Sequence, residues 1–149
     1  MSSKWQVEYW MIKSPETIPP TTSTREAFNK MRSGNFRHLL VVQDGKLLGL
    51  VSDRDLRRPD LSKGEDGWNS LYTPNEEDEV RYIMATELKV VRGDSHIRDC
   101  IKMLTEYRYG ALPVVNDQGN PIGILSVYDL LKCFDEIIDK CGPTLESLF

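Results

Sequence analysis

Two serine–aspartate pairs carry most of the chemistry this sequence can offer. Ser52 stands three residues before Asp55, and Ser126 three before Asp129. Each pair follows a glycine and two apolar residues, as Gly49-Leu50-Val51-Ser52-Asp53-Arg54-Asp55-Leu56 and Gly123-Ile124-Leu125-Ser126-Val127-Tyr128-Asp129-Leu130. At a helix start, Ser-x-x-Asp forms a capping box, in which each side chain satisfies the other residue's backbone N–H. The same geometry suits a nucleotide. A helix N-terminus offers N–H groups and a positive dipole end to phosphate. The serine hydroxyl adds a donor, and the carboxylate can accept from both hydroxyls of a ribose. The glycine ahead of the step lets a ligand approach the backbone closely. One such string reads as a cap; two in matching surroundings point beyond capping.

Other reactive residues are sparse. The two histidines, His38 and His96, lie at non-matching positions of the two segments, and no Cys-x-x-Cys, His-Glu-x-x-His or P-loop string occurs. The three cysteines (Cys100, Cys133, Cys141) are scattered, with no obvious basic partner, and read as reduced structural thiols. No nucleophile with its base, paired acids or metal-ligand cluster converges, so the expectation is a non-enzyme with no catalytic residues, no metal site and no catalytic cofactor.

The elements that must position the two steps repeat as well. Residues 11–44 align without a gap on 84–117 at an offset of 73, with one residue then inserted in the second copy. Each copy opens on a short β-like segment, Thr17-Ile18 or Val90-Val91. A helix follows, with Ala27, Phe28 and Met31 matching Cys100, Ile101 and Leu104 on one face. Ser23 is an expected cap, with Glu26 closing a box, and Asp94 or Ser95 serves the second helix. A β-hairpin comes next, Leu39–Val42 returning as Leu47–Val51 through Asp44-Gly45, and Leu112–Val115 returning as Pro121–Leu125 through Asp117–Asn120. Such apolar strands suit a sheet covered by helices. A second helix starts at each Ser-x-x-Asp and runs long in the second copy, with an apolar stripe at Leu130, Leu131, Phe134, Ile137, Ile138 and Cys141. The fold class expected is α+β, two β-α-β-β-α repeats around a pseudo-two-fold axis. The divisions are 7–58, a linker at 59–79 tacked down by Trp68, Leu71 and Tyr72, 80–138, and a C-terminal tail at 139–149.

At 149 residues, 40% hydrophobic and 28% charged, the composition is that of a globular protein, and about 45 residues per repeat is too few for an independent core. No apolar run reaches the ~18 residues of a membrane span, and the N-terminus lacks a signal-peptide core, so a cytoplasmic location without membrane is expected. A net charge of −4 argues against nucleic acid. The charge is uneven. Residues 25–58 hold eight basic side chains (Arg25, Lys30, Arg32, Arg37, Lys46, Arg54, Arg57, Arg58) against Glu26, Asp44, Asp53 and Asp55. That local positive character could suit a small anion, although solvated faces explain most such residues singly.

The strings Phe36-Arg37-His38-Leu39-Leu40-Val41-Val42 with Asp44–Leu56, and Arg108-Tyr109-Gly110-Ala111-Leu112-Pro113-Val114-Val115 with Gly123–Leu130, resemble the CBS (cystathionine β-synthase) domain. The resemblance runs from Val7 to about Ile138 and implies a CBS pair, or Bateman module, which binds adenosine-containing ligands in clefts between repeats. It implies that Asp55 and Asp129 bind ribose hydroxyls, and that Ser52 and Ser126 contact phosphate or ribose. It further implies that Thr17, Ile18, His38, Leu39, Val90, Val91, Ala111, Leu112 and Pro113 surround the base through backbone and apolar contacts.

The copies differ where Arg54 stands against Tyr128 and Arg37-His38 against Gly110-Ala111. A guanidinium and an imidazole suit phosphate; a tyrosine and a small pair suit stacking. Non-equivalent halves follow, with phosphates nearer the first repeat. Against this, Arg54 could pair with a nearby acid, His38 could pack at its strand start, and Tyr128 could pack on the following helix. The leading reading is a regulatory module sensing AMP, ADP, ATP or another adenosyl compound. With no attached effector domain in the sequence, it would signal to a partner protein in trans. The resemblance also suggests a homodimer through the Leu130–Cys141 stripe and Trp5 or Trp10. The alternative is a ligand-free interaction or dimerisation module with vestigial clefts.

Overall fold

The computed structural model describes residues 3–57 and 71–146. Along the chain run α1 (Val7–Trp10), β1 (Ile12–Lys13), β2 (Thr17–Ile18), α2 (Thr24–Gly34), β3 (His38–Gln43) and β4 (Lys46–Ser52). Then come β5 (Val91–Arg92), α3 (Ile97–Tyr107), β6 (Ala111–Val115), β7 (Pro121–Ser126) and α4 (Val127–Glu146), with single 3-10 turns at Asp55–Arg57 and Val80–Tyr82. The chain divides into two units. One spans Pro15–Leu88; the other joins the N-terminal segment through Ser14 to the chain from Lys89 onward.

In the Pro15–Leu88 unit the sheet order is β2-β3-β4, with β2 parallel to β3 and β3 antiparallel to β4. The hairpin turns at Asp44 (φ 51°) and Gly45 (φ 75°). Two successive positive φ values make a tight turn whose twist matches the strands. Helix α2 begins because Ser23 accepts the Glu26 N–H at 3.1 Å, and it ends at Asn35 in the left-handed region. The expected box is only half made among the described residues: the Glu26 carboxylate does not accept the Ser23 N–H, and the Ser23 hydroxyl donates to Glu76 at 3.1 Å. Ala27 and Met31 face a core of Ile18, Leu39, Val41, Val51, Leu56 and Val80, and Phe28 packs at its margin. Of the expected linker anchors, Trp68 lies outside the described residues. Tyr72 bonds Thr24 at 2.9 Å. The Leu71 side chain is 68% exposed, while its backbone forms an isolated β-bridge.

The other unit repeats the plan in the order β1-β7-β6-β5. Strand β5 begins at Val91, not Val90: Val91 pairs with Val114 in register, while Val90 is exposed. The cap of α3 is neither Asp94 nor Ser95. It is His96, whose Nδ1 accepts the Arg98 N–H at 3.1 Å. His96 is the residue 73 positions after Ser23, so the repeat offset held the answer, but an imidazole is not an obvious cap. Ser95 is occupied with the Arg92 N–H at 3.0 Å. The core gathers Val7, Val91, Cys100, Leu104, Leu112, Val114 and Leu125.

Each hairpin receives a further chain segment on its β4 or β7 edge. Ala85 exchanges two backbone bonds with Leu50 (2.9 and 3.0 Å), and β1 pairs Ile12 with Ile124. The glycines before the Ser-x-x-Asp steps exist for these segments. A Cβ on Gly49 would sit 2.5 Å from Met84 Sδ and 2.9 Å from the Ala85 carbonyl oxygen. One on Gly123 would meet Met11 Sδ at 2.6 Å and the Ile12 carbonyl at 3.0 Å. The close approach that these glycines permit is therefore that of the chain itself rather than a ligand.

The second helices differ. Within the described residues the chain after Ser52 makes one 3-10 turn, Asp55–Arg57, whereas α4 continues through residues 139–146 to Glu146. Its apolar stripe is split. Cys133 is buried and Leu130 and Ile137 are half-buried, while Leu131, Phe134 and Ile138 are exposed at 58, 57 and 42%. No helix of the described residues is long and apolar enough to cross a membrane.

Candidate functional site

Both Ser-x-x-Asp steps fold into complete capping boxes. Asp55 Oδ2 accepts the Ser52 N–H at 2.7 Å and its hydroxyl at 2.9 Å, while Ser52 Oγ accepts the Asp55 N–H at 3.3 Å. Asp129 Oδ2 accepts the Ser126 N–H at 2.9 Å and its hydroxyl at 2.6 Å, with 3.2 Å for the return bond. The neighbouring amides are also used: Asp53 N–H bonds the Arg37 carbonyl at 2.9 Å and Val127 N–H the Gly110 carbonyl at 3.0 Å. This changes the chemistry on offer. Each serine proton is spent on its aspartate, so the serines present lone pairs rather than donors. Among the described residues no donor meets Oδ1 of either carboxylate, an acceptor held in a fixed direction by the two bonds on Oδ2.

Around the first step stand His38 and Arg54. His38 lies directly opposite Ser52 in the β3–β4 ladder and is half-buried. Burial lowers its pKa below the ordinary histidine value; Asp53 and Asp55 oppose that shift, and Arg37 and Arg54 add to it. Arg54 is exposed, and no described carboxylate lies within ion-pair distance of it. Thr17 pairs with Leu40 one strand away. Ile18 and Leu39 are core side chains at 3 and 0% exposure, so only their backbones could meet a ligand.

Around the second step Ala111 pairs with Ser126 and Leu112 with Leu125. Ala111, Leu112 and Pro113 are buried. Tyr128 is 66% exposed, and its contact with the helix that follows is Lys132, whose Nζ lies 4.7 Å from its ring centre. Asp129 is nearly buried. Lys132, one turn into α4, is the residue that sequence reasoning missed. Its signal was the i,i+4 spacing from Tyr128.

Arg37 stands apart from its expected companions. It lines a separate cleft of about 410 Å³ with Phe28, Arg32, Asn35, Phe36, Asp53 and Arg57. In the other unit a more apolar groove of about 450 Å³ runs between α3 and α4, lined by Trp5, Ile101, Leu130, Phe134 and Ile137 among others. Trp5 stacks on His96 there, with ring centres 6.0 Å apart. Trp10 instead packs against the core. Among the described residues no cluster of His, Cys, Asp and Glu could hold a metal ion.

The CBS domain family model matches residues 7–61 and 80–136. The chain belongs to the CBS domain family. Its CBS pair is 31% identical over 120 residues to the CBS domain-containing protein YhcV of Bacillus subtilis, covering 80% of this chain and 79% of that one. The chain spans between 33% and 56% of the length of four other curated relatives. Among solved structures, CBSX2 in complex with AMP matches at TM-score 0.73 and 24% identity, covering 89% of this chain and 98% of that one. The CBS domain pair of MJ0100, in complex with 5′-methylthioadenosine and S-adenosyl-L-methionine, matches at 0.70 and 23%, covering 87 and 98%. At those identities the likeness establishes the fold. CBS pair proteins are regulatory modules.

Proposed function

We propose that this CBS pair is a regulatory sensor that binds an adenosine-containing ligand at its two Ser-x-x-Asp steps. The observation carrying the reading is the doubled carboxylate geometry, in which Asp55 and Asp129 are each fixed through Oδ2 and, among the described residues, keep Oδ1 unbonded. Ribose hydroxyls are the donors that such an acceptor suits, and the adenosyl compounds bound by CBSX2 and the MJ0100 pair belong to the same chemical class. Arg54 and His38 favour phosphate at the first step. Tyr128 offers a free ring face at the second, and Lys132 adds a cation beside it. AMP, ADP and ATP are the ligands this polarity fits best, and the output passes to a partner protein in trans. A thermal-shift panel of AMP, ADP, ATP, NAD and S-adenosylmethionine tests the reading. At least one compound raises Tm, and the rise shrinks in Asp55→Ala or Asp129→Ala. No rise with any compound contradicts it.

The exposed α4 side chains Leu131, Phe134 and Ile138, with Trp5, favour a second role as a homodimer contact. If the module acts only by association, Phe134→Ser converts a dimer to a monomer in light scattering while the nucleotide panel stays silent.

A further inference from the structure

The polar cleft holding Arg37 is lined by Asp53 and Arg57 but by none of Ser52, Arg54 and Asp55. Successive residues along a strand point to opposite faces, and the Arg37 carbonyl continues the hairpin ladder by accepting the Asp53 N–H at 2.9 Å. His38 therefore turns towards Ser52 while Arg37 turns away, to the C-terminal end of α2. The cleft there is lined by three arginines, Arg32, Arg37 and Arg57, and by one carboxylate residue, Asp53. Arg57 approaches Asp53 at 3.5 Å. Among the described residues no carboxylate pairs with Arg32 or Arg37, and Arg32 lies over the Phe28 ring at 5.7 Å. In a chain of net charge −4 this is a local excess of two positive charges around a cleft of about 410 Å³, within the size range of small-molecule sites. Phe28 and Phe36 supply apolar walls beside the arginines.

We propose that this cleft binds a phosphoryl group, as a site separate from the adenosyl-ligand steps. A dianion matches the excess charge, and guanidinium forks match the oxygen geometry of phosphate. Asp53 is the built-in competitor: it holds Arg57 when the cleft is empty and releases it when phosphate enters. The phosphoryl source is either inorganic phosphate or an organic phosphate monoester whose apolar part lies on Phe28 and Phe36.

Amide NMR shifts of the full chain, followed on addition of inorganic phosphate and then phenyl phosphate at constant ionic strength, test this. Saturable shifts should centre on Phe28, Arg32, Asn35, Phe36 and Asp53. Arg32→Gln should weaken binding about fivefold, the upper end for an exposed ion pair. Asp53→Asn should tighten it, because a repelling charge is removed, and Asp55→Ala should leave it unchanged. Tighter binding of phenyl phosphate identifies a monoester site, and equal binding a free-phosphate site. Shifts spread over the whole surface, shifts that chloride reproduces, or an Asp53→Asn variant that binds more weakly would overturn the proposal. Because Asp55→Ala is expected to spare this site and disable the adenosyl one, failure of either reading shows separately.

Discussion

Replacing Gly49 with alanine sets two effects of opposite sign against each other. Glycine inside a strand costs about 0.5–1 kcal/mol of backbone entropy relative to alanine, so an unobstructed Gly49→Ala would stabilise the protein. The structure says that it is obstructed. The new Cβ would lie 2.5 and 2.8 Å from Met84 Sδ and Cγ and 2.9 Å from the Ala85 carbonyl oxygen. The Met84 side chain can swing aside, but Ala85 is fixed by its two bonds to Leu50. Relief requires either overpacking strain, about 1–3 kcal/mol, or loss of two backbone bonds at about 1 kcal/mol each. Net of the entropy gain, destabilisation of about 0.5–2 kcal/mol follows, a fall in Tm of roughly 1–8 °C for a chain of this size. Gly123→Ala should cost less, since its nearest backbone atom is 3.0 Å away. Met84→Ala should rescue Gly49→Ala only in part, because the carbonyl contact survives it. Calorimetry on the four variants reads all of this. A Gly49→Ala protein as stable as the parent would refute the packing argument and return the glycine to a ligand role.

The remaining predictions concern single groups. Asp129→Ala removes the acceptor for two donors of Ser126 and should cost about 1–2 kcal/mol in urea unfolding. Asp55→Ala removes the same acceptor from Ser52 and should also destabilise the protein in urea. His38 is held neutral by burial, so the unfolded chain takes up a proton first as pH falls. Stability should drop from about pH 6.5 downward, through the lower folded value. Urea midpoints at about pH 7.5 and pH 5.5 should converge in His38→Gln. Burial pushes the Cys100 thiol up to about 11 and raises that of Cys133, whereas Cys141 is exposed. A thiol-reactive chromophore should therefore label one cysteine per chain quickly, and Cys141→Ser should abolish that phase.

Much of this was legible because it is periodic or repeated. Ala27 with Met31, and Cys100 with Leu104, announce helix faces, and Asp44-Gly45 announces a tight hairpin. Two adjacent valines do not say which joins a ladder, and it is Val91 that pairs with Val114. His96 escaped as a cap because its Nδ1 is a rare substitute for a hydroxyl. The larger misreadings arose where a residue's role depends on a distant segment. Gly49 and Gly123 look like ligand clearances until Met84 and Met11 are seen against them. Arg37 and His38 are neighbours in sequence and diverge across the strand. The serines were counted as donors because nothing in one dimension shows that the aspartate takes their protons. Lys132 gains its place only from sharing one exposed face of α4 with Tyr128, one turn earlier.

The central claim is that the two aspartates serve a ribose as well as a helix cap. Titration calorimetry of AMP into the wild-type chain, Asp55→Asn and Asp129→Asn tests it most directly, since asparagine is isosteric. The account predicts saturable heat in the wild type and affinity at least about tenfold weaker in one or both variants, the loss of a charge-assisted bond. Equal AMP affinity in all three proteins would contradict it and leave the Ser-x-x-Asp steps as helix caps alone.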